Sequence, residues 1–222
     1  MAPSLLLTCT LTLAIPNRSH GQAATDWQAE PITLAAFTES NGSQKNKAES
    51  RNLITNGDFE NGMSGWTARA WAKKGTATVD GDERRDGHPS LRIDNPEADN
   101  TFVHQLVAVK PGTWYRLSGW IRTRRIDVQQ GEGNAGATLW AESGWHATQF
   151  LKHAWEWTHV KLDFNSATKT EVDVGPRLGQ WGGILIGTAW YSQVSLVELP
   201  PGEVEKNARP AGRGHGWSRP SF

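Results

Sequence analysis

The sequence predicts an all-β fold, an antiparallel two-sheet β-sandwich of jelly-roll type. Three observations carry this expectation. Between Arg51 and Leu199, eight or nine short runs alternate apolar and polar residues with a period of two. Gly, Pro, Asn and Asp punctuate them at regular intervals, as tight turns between strands require. No stretch sustains a helical period, and no internal repeat is present.

The elements follow in order. Leu53 and Ile54 enter a strand; Asn56-Gly57 and Asn61-Gly62 are turn pairs, with Phe59 between them as a core anchor. Ala70 to Val79 is extended, Asp80 to Pro89 (DGDERRDGHP) reads as a charged loop, and Ser90 to Ile93 alternates. The organising stretch is VAVKPGTWYRLSGWIRTRR, Val107 to Arg125. It reads as strand, turn, strand, with Pro111 and Gly112 suited to the centre of a type II turn. In its second strand Tyr115, Leu117, Gly119 and Ile121 face the core, and Trp114, Arg116, Ser118, Trp120 and Arg122 face out. IDVQQGEGNAG, from Ile126, reads as a loop and Ala137 to Glu142 as a strand. Ser143 to His153 reads as a long loop. In Trp155 to Phe164 the set Val160, Leu162 and Phe164 points inward. Thr170 to Val174 alternates, Gly179 to Gly183 is a loop bearing Trp181, and Thr188 to Leu199 closes the sandwich.

Composition bounds the function. Lys plus Arg and Asp plus Glu both number 23, so net charge points neither to nucleic acid nor to an anionic membrane. No apolar run is long enough to span a bilayer. The 222 residues include twelve tryptophans against two tyrosines and six phenylalanines, more indole than packing alone explains. Ser4 to Pro16 (SLLLTCTLTLAIP) is a short apolar run followed by small residues, so residues 1–23 read as a signal peptide that removes Cys9, the single cysteine. Residues 24–50 read as a disordered leader, 51–199 as the domain and 200–222 as a disordered tail. The expected localisation is secreted or extracellular, with the periplasm or cell surface as variants.

The order of motifs carries a resemblance. NLITNGDFENGMSGW, GHPSLRI, VAVKPGTWYRLSGWIRT, WTHVKLDFNSA and GTAWYSQVSL resemble, in that order, the β-sandwich carbohydrate-binding modules appended to bacterial cellulases and xylanases, within the galactose-binding-like group. The resemblance implies a concave sheet on which sugar rings lie against aromatic side chains. Indole covers the C–H face of a pyranose, while Arg, Asp and Glu serve its hydroxyl rim. The outward positions that fit are Trp120 and Arg122, Trp140 and Glu142, and Asp173 with Arg177. Trp71, Trp145 and Trp181 are candidates from loops. Trp66, Trp114, Trp155 and Trp190 are assigned to packing. Relatives close on an aromatic residue followed by two aspartates that help hold a structural calcium ion. This chain has Ser192 and Gln193 there, and Glu60, Asp80, Asp82 and Asp86 are the remaining acidic candidates. No other cofactor is expected.

The expected function is a secreted, non-catalytic polysaccharide-binding module, whose partners are a polysaccharide and a separately encoded glycoside hydrolase. Two alternatives stand beside it: a sandwich for protein or cell-wall interaction that has lost its sugar site, and a small glycoside hydrolase or lyase. Hydrolysis needs two carboxyl groups across a cleft, for which Glu142 and Asp173 are the pair to examine. Outward carboxylates on a sheet are more often simply solvated, and no nucleophile elbow, phosphate loop or zinc motif is present.

Overall fold

The computed structural model describes residues 51–131, 135–141, 146–180, 182–201 and 203–204. The expected leader and tail, with Cys9, Glu142, Trp145 and Trp181, lie outside the described residues. Ten strands are present: β1 (Thr67–Ala70), β2 (Thr76–Arg85), β3 (His88–Asp99), β4 (Thr101–Ala108), β5 (Trp114–Gln130), β6 (Ala137–Ala141), β7 (His146–Ala147), β8 (Thr158–Asn165), β9 (Glu171–Leu178) and β10 (Ile184–Glu198). They form two antiparallel five-stranded sheets. Sheet I has the order β1-β4-β9-β6-β7 and sheet II the order β2-β3-β10-β5-β8. The two-sheet sandwich expected from the sequence is therefore observed.

Alternation along each strand fills the space between the sheets. Val103, Val107, Leu139, Val172, Val174 and Leu178 come from sheet I. Leu91, Ile93, Tyr115, Leu117, Ile121, Phe164 and Leu196 come from sheet II. The inward set foreseen for the second half of the central stretch is correct. Gly119, the small member of that set, leaves room for Leu139, whose Cδ1 would stand 3.1 Å from an added Cβ. Phe59 and Trp66 seal one edge, their rings 5.5 Å apart and the indole N–H donating to the Asn56 carbonyl at 2.9 Å.

Polar bonds tie the layers together. The buried Tyr191 hydroxyl, on β10, donates to the Arg177 carbonyl on β9 at 2.6 Å. The Asn95 amide, on β3, donates to the carbonyls of Leu178 and Leu185 at 3.3 Å, while its oxygen accepts from Thr101 Oγ1 at 2.7 Å.

Three sequence expectations are corrected. Lys110 to Thr113 does not close a hairpin: β4 belongs to sheet I and β5 to sheet II, so the turn is an arch across the core. Ser166 holds it, donating from Oγ to the Lys110 carbonyl at 2.6 Å and accepting the Thr113 N–H at 3.1 Å. The segment Asp80 to Pro89 is a hairpin rather than a loop. Asp86 and Gly87 take φ of 50° and 86°, the two positive values that match a turn to the twist of its strands. Finally, β5 runs on to Gln130: past Arg125, whose φ is 53°, Ile126 and Val128 take up the alternation again in shifted phase and pack against the core opposite β10.

Burial sets the expected costs. Leu117→Ala, at a fully buried site, should destabilise by about 3 kcal/mol in urea denaturation. Leu106→Ala, on the outer face of sheet I and 59% exposed, should fall within about 0.5 kcal/mol of wild type.

Candidate functional site

The register of sheet I places one set of side chains on its outer face. Arg69 on β1 stands opposite Phe102 on β4, Phe102 opposite Arg177 on β9, and Arg177 opposite Thr138 on β6. Trp140 and His104 extend this row into a patch. Phe102 and Trp140 meet edge to face with centroids 5.7 Å apart. The Arg177 guanidinium lies 5.3 Å from the Phe102 ring and 5.6 Å from that of Trp140, within cation–π range. Burial pushes the Arg177 guanidinium down to about 10, so it stays charged at neutral pH. Beside it His104 Nδ1 is 2.7 Å from Asp173 Oδ1. Two nitrogens of this patch, Trp140 Nε1 and His104 Nε2, are buried without a hydrogen-bond partner among the described residues.

The rim of this face is built from the connections at one end of the sheet. Asp99, at the end of β3, is fully buried, and its carboxylate accepts four backbone N–H groups. These come from Ala72 at 2.8 Å, Lys74 at 2.8 Å, Gly75 at 2.9 Å and Asn100 at 2.7 Å. Burial works to raise its pKa, but the four donors outweigh burial and hold it below the usual carboxylate value. A Cβ at Gly75 would stand 1.9 Å from Thr101 Oγ1, so the loop closes this tightly only with glycine there. Asn100 then distributes the geometry. Its carbonyl accepts the Trp71 N–H at 3.1 Å, its side-chain oxygen accepts Arg177 Nε at 2.9 Å, and its amide donates to the Gln180 carbonyl at 2.9 Å. The result is a rim carrying Trp71, 73% exposed, tied to the patch of Arg177, Phe102 and Trp140.

The candidates read from the sequence do not share one surface. Trp140, Asp173 and Arg177 are together on sheet I, with Trp71 at its rim. Trp120 and Arg122 lie on the outer face of sheet II, because β5 pairs with β8 and β10. Trp120 is also not open: the Arg85 guanidinium covers its ring at 3.5 Å and His159 packs beside it at 4.9 Å. Burial, with Lys161 and Arg85 nearby, holds His159 below the ordinary histidine value. Arg122 donates to Glu83 at 2.5 Å and to the Trp155 carbonyl at 2.8 Å. Trp140 is only 8% exposed, so the expectation of an indole displayed to solvent fails there. Among the tryptophans assigned to packing, Trp66 and Trp190 are buried, but Trp155 is 70% exposed, since it precedes β8 and escapes the strand alternation. Sequence reasoning missed Asp99, Asn100, Phe102 and His104. The Asp-Asn pair between two alternating runs was the available turn signal.

Three of the four acidic residues named for calcium are already engaged. Glu60 bonds His88 Nδ1 at 2.8 Å, Asp86 pairs with Arg85 at 2.6 Å, and Asp80 accepts the Trp190 indole N–H at 2.9 Å. No group of three metal-ligating side chains occurs among the described residues.

A family model described as "Carbohydrate binding domain" matches residues 51–175. The chain belongs to this carbohydrate-binding family. The resemblance drawn from the motif order is thereby borne out, and the match is to a binding family rather than a catalytic one. Exochitinase 1 of Streptomyces olivaceoviridis is 25% identical over 185 residues, which cover 83% of this chain and 28% of that protein's length. Among solved structures, a putative sugar binding protein from Bacteroides thetaiotaomicron is similar at a TM-score of 0.50 with 14% identity, covering 67% of this chain and 100% of that one. The CBM22-1 xylan-binding domain of Xyn10C from Paenibacillus barcinonensis has a TM-score of 0.49 with 12% identity, covering 67% and 95%. Among the described residues no helix is long and apolar enough to cross a membrane.

The rim makes a pH prediction. A carboxylate whose pKa is depressed by folding stabilises the fold above its unfolded value of about 3.9, and that stability is lost as pH falls through the lower folded value. Wild-type unfolding free energy should therefore decline below about pH 4, and Asp99→Asn should flatten that decline. At pH 7, Asp99→Ala should cost about 3 kcal/mol, since four backbone N–H groups lose their acceptor. Urea melts across pH 2–7 check both.

Proposed function

We propose that this chain is an exported module that binds a polysaccharide without cleaving it, through the outer face of sheet I. The observation that carries the reading is the continuity of exposed Trp71 with the Arg177, Phe102, Trp140 patch through Asn100. In this reading Trp71 offers the flat apolar platform, and Arg69 with the His104–Asp173 pair serves sugar hydroxyls. Export rests on the apolar run Ser4 to Pro16. Because the sequence relative is an exochitinase, chitin is the first polymer to examine, and a glycoside hydrolase is the partner class. A single module binds weakly, since it must offset lost translational freedom, so tethering to an enzyme or to repeats raises its retention.

A second reading has its own observation. The indole of Trp140 is nearly buried and that of Trp120 is capped by Arg85, as in a sandwich that keeps the family fold but presents its surface to a protein or cell-wall partner. A glycan array and affinity electrophoresis separate the two. The wild type should bind at least one neutral polysaccharide, and Trp71→Ala should weaken that binding about tenfold, the scale of one lost aromatic platform. Trp120→Ala should leave it unchanged. Absence of any glycan binding by the wild type favours the second reading.

A further inference from the structure

The outer face of sheet II holds a different arrangement. Two rows of side chains cross three strands side by side. In the first, Arg92 on β3 stands opposite Trp190 on β10, which stands opposite Arg122 on β5. In the second, Asp94, Thr188 and Arg124 take the corresponding places. Arg92, Trp190, Asp94, Thr188 and Arg124, together with Arg125, line a groove of about 410 Å³, and Arg122 flanks it. Three guanidiniums, those of Arg92, Arg124 and Arg125, line it against the single carboxylate of Asp94. That carboxylate is already engaged, accepting Thr188 Oγ1 at 2.5 Å and facing Arg92 at 3.4 Å. Arg124 and Arg125 are exposed and have no ion pair among the described residues, and Arg92 Nε is buried without a hydrogen-bond partner. The groove is thus locally cationic in a chain whose formal net charge is zero. Next to it, Arg122 donates to the carbonyl of Trp155, whose side chain is 70% exposed.

We propose that this groove is a second saccharide site, selective for a sugar that carries a carboxylate. The assignment rests on the module reading for the class of ligand, and on sheet II alone for the site. The planar fork of arginine matches a planar carboxylate with two parallel hydrogen bonds. In this proposal the exposed indole of Trp155, tied through its backbone carbonyl to Arg122, supplies the apolar surface that a sugar ring uses and a free inorganic anion does not. The chain then engages acidic polysaccharide on one layer and neutral polysaccharide on the other, and can join two polymer strands.

The test is affinity electrophoresis of the full chain through gels cast with polygalacturonate, alginate, methyl-esterified polygalacturonate or dextran sulfate. The wild type should be retarded by at least one of the two uronates and not by the methyl ester. Arg124→Gln should weaken uronate binding about tenfold, the loss of one charge-assisted contact. Trp155→Ala should weaken it several-fold, while Trp71→Ala should leave it intact. No retardation by either uronate overturns the proposal. So does equal retardation by the methyl ester, or retardation by dextran sulfate that survives Trp155→Ala unchanged. Failure of the sheet I reading is distinct: it shows as loss of neutral-polymer binding in the wild type with the uronate result unaffected.

Discussion

A charged carboxylate with no access to water must be given hydrogen bonds by the protein, and the end of this sandwich is shaped by that demand on Asp99. Three of its four backbone donors come from the loop between β1 and β2, which has no regular structure of its own, and the fourth is the next residue, Asn100, so satisfying the charge is what fixes the loop. Through Asn100 the same constraint reaches Trp71 on one side and Arg177 on the other. Arg177 then sits between two aromatic rings with its backbone carbonyl held from the opposite sheet by Tyr191. A buried ionic group thus ties the backbone that carries Trp71 to the core.

The sandwich separates two kinds of surface. Sheet I shows rings around the buried cation of Arg177, with the exposed Arg69 on its β1 edge. Sheet II shows rows of ion pairs and arginines, and its indoles are covered: Trp120 by Arg85, and Trp190 by its bond to Asp80 with Arg92 6.0 Å away. Burial works to raise the Asp80 carboxyl, but its hydrogen bonds from Trp190, Glu83 and Asp82 and the charge of Arg92 hold it low, which keeps this layer's acid ionised. The excess of tryptophan therefore has several causes. Trp66 is core, Trp190 is a hydrogen-bonded brace on a sheet surface, and among the described residues only Trp71 and Trp155 stand largely in solvent.

Much of the fold was legible because a two-residue period reports directly on burial. Tyr115, Leu117 and Ile121 faced inward as their spacing required. The partner of each strand was not legible. A turn such as Lys110 to Thr113 has the same local chemistry whether it closes a hairpin or arches between layers, and the choice is made by distant strands β9 and β10. That is why Trp120 and Trp140, both outward by alternation, were expected on one surface and lie on two. Side-chain exposure was equally out of reach for Trp120, because its cover comes from Arg85, thirty-five positions away on the neighbouring hairpin. Asp99 could be noticed only as a turn residue, since four converging N–H groups are a property of the folded loop.

The most direct test of sheet I as the sugar-binding face is two-dimensional NMR of the indole N–H signals during titration with a bound oligosaccharide. The account predicts that the Trp71 signal moves most and that of Trp140 moves with it, while those of Trp66, Trp120 and Trp190 stay in place. A neutral oligosaccharide that shifts the sheet II indoles and leaves Trp71 unmoved would contradict it.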